Sequence, residues 1–452
     1  MDWLLTRLAR FGDREALCGP DGTATYADLV ARTEDWHARL ERMGVAPGEA
    51  VAVVGDTTTG RVALLLALTL RGNTVVPLAR TDPPAEQRPA RLATAHVTRV
   101  VEFTSGDLFT ASEVTAPDAP PPARLAELRT SGDAGLVLFS SGSTGEAKAA
   151  LLSLPRLLAR FRDGGGRPLR TVQFMGLDHI GGINTLLHTL GSGGTVISEP
   201  RRSPEHICRA VERHRAQLLP TTPSFLTMLL ISGAHRKFDL SSLELITYGT
   251  EPMREVTLAH LAEELPGVRL KQTYGLTETG ILPTRSPSPG SLRMDVGGKG
   301  FDTKIVDGVL WIKSPTAMLG YLNAPDPFDA DGWLNTGDAV EPAEDGTLRV
   351  IGRASRLINV GGEKVHPTEV ENVLLAADNV RDVVVEGRAN PVTGQVVVAT
   401  VELLAPEDRA DLTRRLRALC AARLAPHKVP AVFLVADTPL YSDRFKRRGG
   451  HA

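Results

Sequence analysis

The sequence has few cysteines, and their spacing excludes two kinds of site. The three cysteines, Cys18, Cys208 and Cys420, are widely separated and odd in number. Neither a disulfide framework nor a zinc ligand set fits this spacing, because both require cysteines in pairs or short clusters. We therefore expect a reduced, cytoplasmic protein.

An excess of charge of one sign is also lacking. The chain carries 51 basic and 53 acidic side chains, a formal net charge of -2. Proteins that bind nucleic acids or anionic membranes usually have a basic excess, so we expect neither as a partner. The longest apolar run, at residues 62–70, is shorter than the ~20 residues of a membrane span. Charges interrupt the start of the sequence, which argues against a secretory signal.

The order of apolar and amphipathic segments predicts an α/β fold. At 452 residues the chain is long enough for two or three domains. Residues 25–28 have the form of a helix capping box, and Gly44 would end the helix that follows. A strand at 50–54, a helix at 62–71 and a strand at 73–78 form a βαβ unit, which predicts a parallel sheet.

The pattern changes twice toward the C-terminal end. From Gly308, shorter apolar runs with Asp-Gly turns predict a small β region. After Arg353, alternating helices and strands predict a compact α+β domain of about a hundred residues. We therefore expect residues 1–353 to form a large N-terminal domain of αβ-layered subdomains plus the small β region, and residues 354–452 a small C-terminal domain.

A loop rich in serine, threonine and glycine is the sharpest chemical signal in the sequence. Residues 139–148 read Phe-Ser-Ser-Gly-Ser-Thr-Gly-Glu-Ala-Lys and include the end of a predicted strand. Backbone N–H groups and hydroxyls of such a loop can surround a polyphosphate, and Lys148 can neutralise its charge. For this segment alone, a flexible polar loop is the simple alternative.

A second segment, residues 274–280, combines an aromatic ring, a hydroxyl and a carboxylate. Tyr274 could stack on adenine, Thr277 could bond a phosphate, and Glu278 could hold Mg²⁺ as a hard oxygen ligand.

Two more segments complete the set. Asp338 follows a glycine turn, and one carboxylate there could accept hydrogen bonds from both hydroxyls of a ribose. Residues 352–371 join a Gly-Arg junction at Arg353 to a Gly-Gly hairpin that carries Lys364.

Together and in this order, the four segments resemble the adenylate-forming superfamily of acyl-CoA synthetases, aryl-acid ligases, carrier-protein adenylation domains and luciferases. The resemblance covers essentially the whole chain. It implies activation of a carboxylic acid by ATP and Mg²⁺ to acyl-AMP with release of pyrophosphate, and then transfer to a thiol of CoA or a carrier protein. It also implies that the small α+β C-terminal domain is a mobile lid, with Ser355 at its hinge.

The resemblance further implies which residues bind the nucleotide. The serine-rich loop would bind the β- and γ-phosphates, residues 249–251 would line the adenine, and Glu278 would hold the metal. The complete predicted nucleotide-binding set is Ser140, Ser141, Gly142, Ser143, Thr144, Gly145, Lys148, Gly249, Thr250, Glu251, Tyr274, Gly275, Asp338, Arg353 and Lys364.

The acid is expected to bind near residues 174–182, where His179 matches the gate of the acyl pocket in the family. The neighbouring Asp178 could meet a cationic group of the substrate or orient His179. Since the N-terminal region is short, as in ligases for aryl and small acids, we expect such an acid. The predicted pocket residues are Asp178, His179, Phe225, Tyr248 and Gly275.

The tail of the chain departs from the family pattern, in which a C-terminal lysine acts in adenylation. Arg444 or Lys446 would take its place, so the predicted catalytic residues are Lys446, Arg444, His179, Thr277 and Glu278. Two alternatives stay open. One is an amide-forming ligase with an amine acceptor, and the other is a nucleotide- or acyl-AMP-binding protein without catalysis.

Overall fold

The computed structural model describes residues 2–80, 85–115, 117, 119–141, 147–162, 166–288, 290–437 and 440. The helices in these residues are α1 Asp2–Ala9, α2 Tyr26–Arg42, α3 Thr59–Leu70, α4 Arg88–Thr94, α5 Ala123–Ser131, α6 Leu154–Arg162, α7 Ile180–Gly191, α8 Pro204–His214, α9 Pro223–Ser232, α10 Glu255–Glu264, α11 Pro367–Leu375 and α12 Arg409–Arg423.

The strands up to residue 248 are β1 Glu15–Gly19, β2 Gly22–Thr25, β3 Ala50–Val54, β4 Thr74–Leu78, β5 Val97–Ser105, β6 Leu108–Glu113, β7 Gly135–Ser141, β8 Ala147–Ser153, β9 Arg170–Val172, β10 Thr195–Ile197, β11 Leu218–Thr221 and β12 Leu245–Tyr248. The later strands are β13 Arg269–Gln272, β14 Tyr274–Leu276, β15 Gly280–Leu282, β16 Thr284–Arg285, β17 Asp295–Val296, β18 Asp302–Val306, β19 Val309–Lys313, β20 Gly320–Tyr321, β21 Leu334–Pro342, β22 Leu348–Arg353, β23 Ile358–Val360, β24 Glu363–Val365, β25 Val380–Asn390, β26 Gly394–Leu403 and β27 Val432–Val435.

The predicted start of helix α2 and the first βαβ unit are confirmed. The Thr25 side chain accepts from the Asp28 backbone, and the Asp28 carboxylate accepts from the Thr25 backbone N–H at 2.8 Å. Gly44 follows the helix with φ of 68°, a conformation that glycine adopts readily. Strands β3 and β4 pair in parallel, and every residue of both is buried.

Two seven-stranded sheets form the αβ-layered body. One has the strand order β13-β12-β11-β9-β10-β1-β2, and the other has the order β20-β8-β7-β4-β3-β5-β6. One buried apolar cluster joins residues of α1, α2, α3, α6 and α7, and another surrounds the first sheet with α8, α9 and α10. Helices thus cover the parallel strands, as buried strands require.

The later part of the chain contains a four-stranded and a five-stranded sheet, besides the two-stranded pairs β14-β15 and β16-β17. Strands β18, β19, β21 and β22 form the small β region, and β24, β23, β26, β25 and β27 form the last sheet. Residues between Ile358 and Cys420 have a buried apolar cluster of their own. The mixed α/β class, with a large N-terminal and a small C-terminal part, is confirmed. The exact boundary at Arg353 stays a prediction.

A search of the described helices for one long and apolar enough to span a membrane finds none.

The start of helix α7 is held tightly against the loop before it. The Gln173 side-chain amide donates to the carbonyl of Met175 at 2.9 Å and to that of Gly182 at 3.0 Å. A Cβ atom added to Gly182 would lie 1.9 Å from the Gly176 carbonyl oxygen. Only glycine therefore fits at this position without a shift of the backbone.

We expect Gly182→Ala to lower the free energy of unfolding by about 1–3 kcal/mol, because the overlap is with backbone. Gly267→Ala is the matched control, since a Cβ there meets nothing within 4 Å. Chemical denaturation of both variants measures the difference. Equal stability of the two variants would contradict the tight packing at the start of α7.

Candidate functional site

Strands β7 and β8 hold the two ends of the serine-rich loop together. They pair antiparallel, with Ser140 opposite Lys148. Asn323 fixes the second strand, because its side chain accepts from the Ala149 backbone N–H and donates to the Ala147 carbonyl, both at 2.9 Å. Gly142, Ser143, Thr144 and Gly145 lie outside the described residues, as does the side chain of Ser141.

Lys148 and Glu278 are brought together by a tyrosine. The Lys148 ammonium lies 5.3 Å from the centroid of the Tyr321 ring, within the range of a cation–π interaction. The Tyr321 hydroxyl donates to Glu278 Oε1 at 2.5 Å. Burial and then the hydrogen bond to Glu278 raise the pKa of Tyr321 far above its usual value, so the hydroxyl keeps its proton.

The backbone explains how Glu278 reaches this tyrosine. Glu278 lies in the turn between β14 and β15, and its carbonyl accepts from the Met318 N–H at 2.8 Å. Tyr321 pairs with Ala150 of β8. At Gly275 an added Cβ would lie 2.6 Å from the Gly280 carbonyl, so glycine allows the hairpin to close. Thr277 lies in the same turn, partly exposed.

Asp338 forms the second cluster of the site. Its carboxylate accepts from the Tyr274 hydroxyl at 2.5 Å and lies 3.1 Å from Arg353 Nε. Arg353 also donates to the Thr336 carbonyl at 2.6 Å. The pairing of Asp338 with Arg353 across β21 and β22 sets this arrangement. The Arg353 side chain is half exposed, so it remains accessible to a ligand.

The two clusters share one electrostatic environment. Burial raises the pKa of Asp338; Arg353 and the Tyr274 hydroxyl oppose the rise, and the charge of Glu278 adds to it. The charge of Arg353 also acts on the pKa of Tyr321. Glu278 lies in the turn of the hairpin that begins at Tyr274, and the Tyr274 hydroxyl binds Asp338, so the hairpin brings the two carboxylates into one region of the molecule. The site therefore gathers two carboxylates and two cations from segments far apart in the sequence.

Tyr274, which was expected from the sequence to stack on adenine, is almost fully buried. It is only 7% exposed and its hydroxyl is used by Asp338. Its stacking on an adenine stays a prediction. The hydrogen bond that orients Asp338 is a second role, which the sequence did not suggest.

The turn of residues 249–251, which follows β12, has an unusual backbone conformation and is held by hydrogen bonds to the start of α9. A Cβ on Gly249 would lie 2.6 Å from Thr273 Oγ1, and Thr250 has a φ of 74°, which is unusual for a residue other than glycine. The Glu251 carboxylate accepts from the Ser224 backbone N–H at 3.1 Å and from the Ser224 hydroxyl at 2.7 Å. Glu251 therefore ties this turn to the start of α9.

His179 stands immediately before α7, with 44% of its side chain exposed. Its Nε2 is 3.9 Å from the Asp178 carboxylate, which is beyond hydrogen-bond distance. Asp178 also acts on the buried Arg61. Burial lowers the pKa of Arg61 to about 10, and the charges of Asp178 and Asp56 oppose this shift. The charge of Asp178 thus favours the protonated form of Arg61.

The apolar members of the predicted pocket lie in the core behind the site. Phe225 has no exposed surface, and its ring contacts Phe174 edge-on at 4.7 Å between centroids. Tyr248 is also buried, and burial raises its pKa to about 12. Their contact with an acid stays a prediction.

The predicted cations of the C-terminal part are not among the residues that meet at this cluster in the described part of the chain. Lys364 is exposed on the hairpin of β23 and β24, whose strand β23 pairs with β26. Arg444 and Lys446 lie outside the described residues.

Tyr321 is a site residue that the sequence motifs did not identify. The polar residues Tyr321 and Asn323, separated by one leucine, were the available signal, because alternation of this kind is typical of a strand.

Two family models and a curated relative match this chain over long stretches. The family model described as AMP-binding enzyme matches residues 4–322, and the model described as AMP-binding enzyme C-terminal domain matches residues 369–442. Indoleacetate–CoA ligase of Aromatoleum aromaticum is 29% identical, over 96% of this chain and 94% of its own.

Two solved structures are similar along nearly the full chain. The o-succinylbenzoate CoA synthetase of Bacillus subtilis, in complex with its acyl-adenylate intermediate, has a TM-score of 0.79 at 25% identity and covers 98% of this chain and 96% of its own. The amide bond synthetase of Marinactinospora thermotolerans, at 24% identity and a TM-score of 0.74 over 98% of this chain and 96% of its own, shares the fold. Because the first family model alone covers more than half of the sequence, the chain belongs to the AMP-binding enzymes of the adenylate-forming superfamily.

Proposed function

We propose that this protein is an AMP-forming acid–thiol ligase that activates a carboxylic acid with ATP and passes the acyl group to CoA. In the first step a carboxylate oxygen attacks the α-phosphorus of ATP, and the bond to pyrophosphate breaks. In the second step a thiol sulfur attacks the acyl carbon, AMP leaves, and the thiol proton is released. No general base is needed for the first step, because a carboxylate is already ionised at pH 7.

The observation that carries the proposal is the adjacency of the Glu278 cluster and the Asp338 cluster. Asp338 would accept from the ribose hydroxyls, and Arg353 and Lys148 would neutralise phosphate charge. The reaction brings two anions together, so positioning and charge neutralisation are the main catalytic requirements. Asp338 would position the nucleotide, and Arg353 and Lys148 would neutralise the charge of its phosphates.

The donor set fits a magnesium ion that arrives with the nucleotide. Among the described residues no group of three or more His, Cys, Asp or Glu side chains could hold a metal. Magnesium typically takes one or two carboxylates and completes its shell with phosphate oxygens and waters. Glu278 would be the protein ligand, and the ion would add positive charge near the phosphates.

We further propose an acid with an aromatic ring, because indoleacetate and o-succinylbenzoate are the acids named for the two relatives. His179 would border the acid, and Arg444 or Lys446 would bring the tail cation to its carboxylate. The ATP and CoA that the reaction consumes favour a cytoplasmic location.

We expect acid-dependent exchange of labelled pyrophosphate into ATP across a panel of aryl, amino-aryl and fatty acids, with the strongest signal among aryl acids. Asp338→Asn should weaken ATP binding by about tenfold or more, because it removes a charged acceptor. Asp239→Asn is the control, since Asp239 is an exposed carboxylate paired with Arg215. ATP binding without exchange for any acid would contradict catalysis and favour the binding-protein alternative.

The same preparation separates the possible acceptors. CoA, a carrier-protein thiol and simple amines are offered to the acyl-AMP formed with the best acid. Release of AMP faster with CoA than with amines supports the thiol ligase, and the reverse order identifies an amide-forming ligase. Arg444→Ala and Lys446→Ala, assayed by pyrophosphate exchange, determine which of the two cations acts.

We expect Tyr321→Phe to slow acid activation by about tenfold or more, because a hydrogen bond to a charged group contributes about 1.5–3 kcal/mol. The phenylalanine ring keeps the contact with Lys148 but leaves Glu278 without its donor. Tyr26→Phe is the matched control, because the buried Tyr26 hydroxyl donates to the Gly194 carbonyl at 2.7 Å in another part of the molecule. An unchanged rate in Tyr321→Phe would remove this tyrosine from the site.

A further inference from the structure

An arginine of the N-terminal part is buried against the C-terminal part. Arg254 is the residue before α10 and is 4% exposed. Its guanidinium donates to Asp382 Oδ1 at 2.6 Å and to the Val383 carbonyl at 3.2 Å. Asp382 is 2% exposed, and its carboxylate also accepts from the Val383 N–H at 2.8 Å. The contact joins residues 128 positions apart, across the predicted hinge.

Because this contact is a buried ion pair, it requires a more exact geometry than an apolar contact. Two charges withdrawn from water are tolerated only with good geometry and additional hydrogen bonds, and removal of one partner leaves an uncompensated buried charge. A small displacement between the surfaces that carry Arg254 and Asp382 would therefore be unfavourable, because it would break the ion pair and leave both charges buried. They are either docked with the pair intact or separated with both charges in water.

The last described residue of the chain, Leu440, lies beside the strand that carries Asp382. Asp382 of β25 is the partner of Glu402 in β26. The Glu402 carboxylate accepts from the Leu440 backbone N–H at 3.2 Å. Leu440 precedes Arg444 and Lys446 by only a few residues. In the docked arrangement Leu440 therefore lies near the contact of Arg254 with Asp382. Arg254 itself follows Glu251, a residue of the predicted adenine-binding turn, by three positions.

The hairpin that carries Lys364 is exposed in the docked arrangement, unlike the buried Asp382. Glycines Gly361 and Gly362 and Lys364 are all exposed. The face carrying β25 and α11 is held against the N-terminal part, where α11 contacts α10. In the docked pose the exposed hairpin makes no described contact with the predicted nucleotide site, whereas Leu440, the last described residue before the two predicted tail cations, lies at the docked face.

We propose that Arg254 and Asp382 are positioning residues that hold the C-terminal part in the pose for acid activation and separate for thiol transfer. The inference rests on the proposed two-step function. Loss of one partner weakens the docked pose, so it slows pyrophosphate exchange and does not slow the transfer of a supplied acyl-AMP to CoA.

A double-mutant cycle tests this assignment. The variants are Arg254→Met, Asp382→Leu and the double variant with both substitutions. Each single variant should lower the ratio of the exchange rate to the transfer rate by about tenfold, because one charge stays buried without its partner. The double variant should recover most of that ratio, because apolar replacement of both partners is often nearly neutral.

Arg415→Met is the control for general damage to the C-terminal part. Arg415 pairs with Glu407 at 2.8 Å within that part, so its loss should leave the ratio unchanged. Equal falls of both rates in Arg254→Met and Asp382→Leu, or no recovery in the double variant, would overturn the proposal.

Limited proteolysis gives a readout that does not require the proposed activity. Trypsin should cut the exposed turn Ala354–Arg356 about tenfold faster in either single variant than in the parent and the double variant, because docking protects the turn from opening. Unchanged cleavage would overturn the docking role. An enzyme without exchange activity but with the expected cleavage pattern would refute the proposed function alone.

Discussion

The Glu278 carboxylate is the group at which distant segments of this protein meet. The Tyr321 hydroxyl donates to it, Lys148 lies over the ring of that tyrosine, and its charge reaches Asp338. Two anions close together are unfavourable unless cations or hydrogen-bond donors surround them. Lys148 and Arg353 supply that positive charge.

The fold places these groups by pairing short strands far apart in sequence. Strand β20 brings Tyr321 beside β8, and the pairing of β21 with β22 sets Asp338 opposite Arg353. A buried ion pair joins the C-terminal part to the start of α10, whereas the hairpin of the C-terminal part is exposed. The predicted nucleotide site thus belongs to a molecule whose C-terminal part can leave the docked pose only if two buried charges separate.

The sequence predicted the features that depend on local patterns. The capping box of α2, the buried β3 and β4, and the α/β class could be read because each depends on neighbouring residues and hydrophobic period. The contacts of Tyr321 with Glu278, of Glu251 with Ser224, and of Arg254 with Asp382 could not be read. Each joins residues distant in sequence, and no local pattern specifies which partner a polar side chain finds.

Four of the residues predicted to bind the nucleotide lie in one region of the structure, and their binding of a nucleotide stays a prediction. Lys148, Glu278, Asp338 and Arg353 were selected one by one from their segments, and the structure brings them together. What the motifs did not provide was orientation. The hydroxyls of Tyr321 and Tyr274 orient the two carboxylates. An aromatic residue in a sequence is more often interpreted as part of the core than as a hydrogen-bond donor.

A crystal structure of the protein with magnesium and a non-hydrolysable ATP analogue is the most direct measurement of the shared site. The account predicts the ribose hydroxyls within hydrogen-bond distance of the Asp338 carboxylate and the triphosphate beside Lys148 and Glu278. A nucleotide bound elsewhere, with Asp338 and Glu278 both free of contact to it, would contradict the central claim.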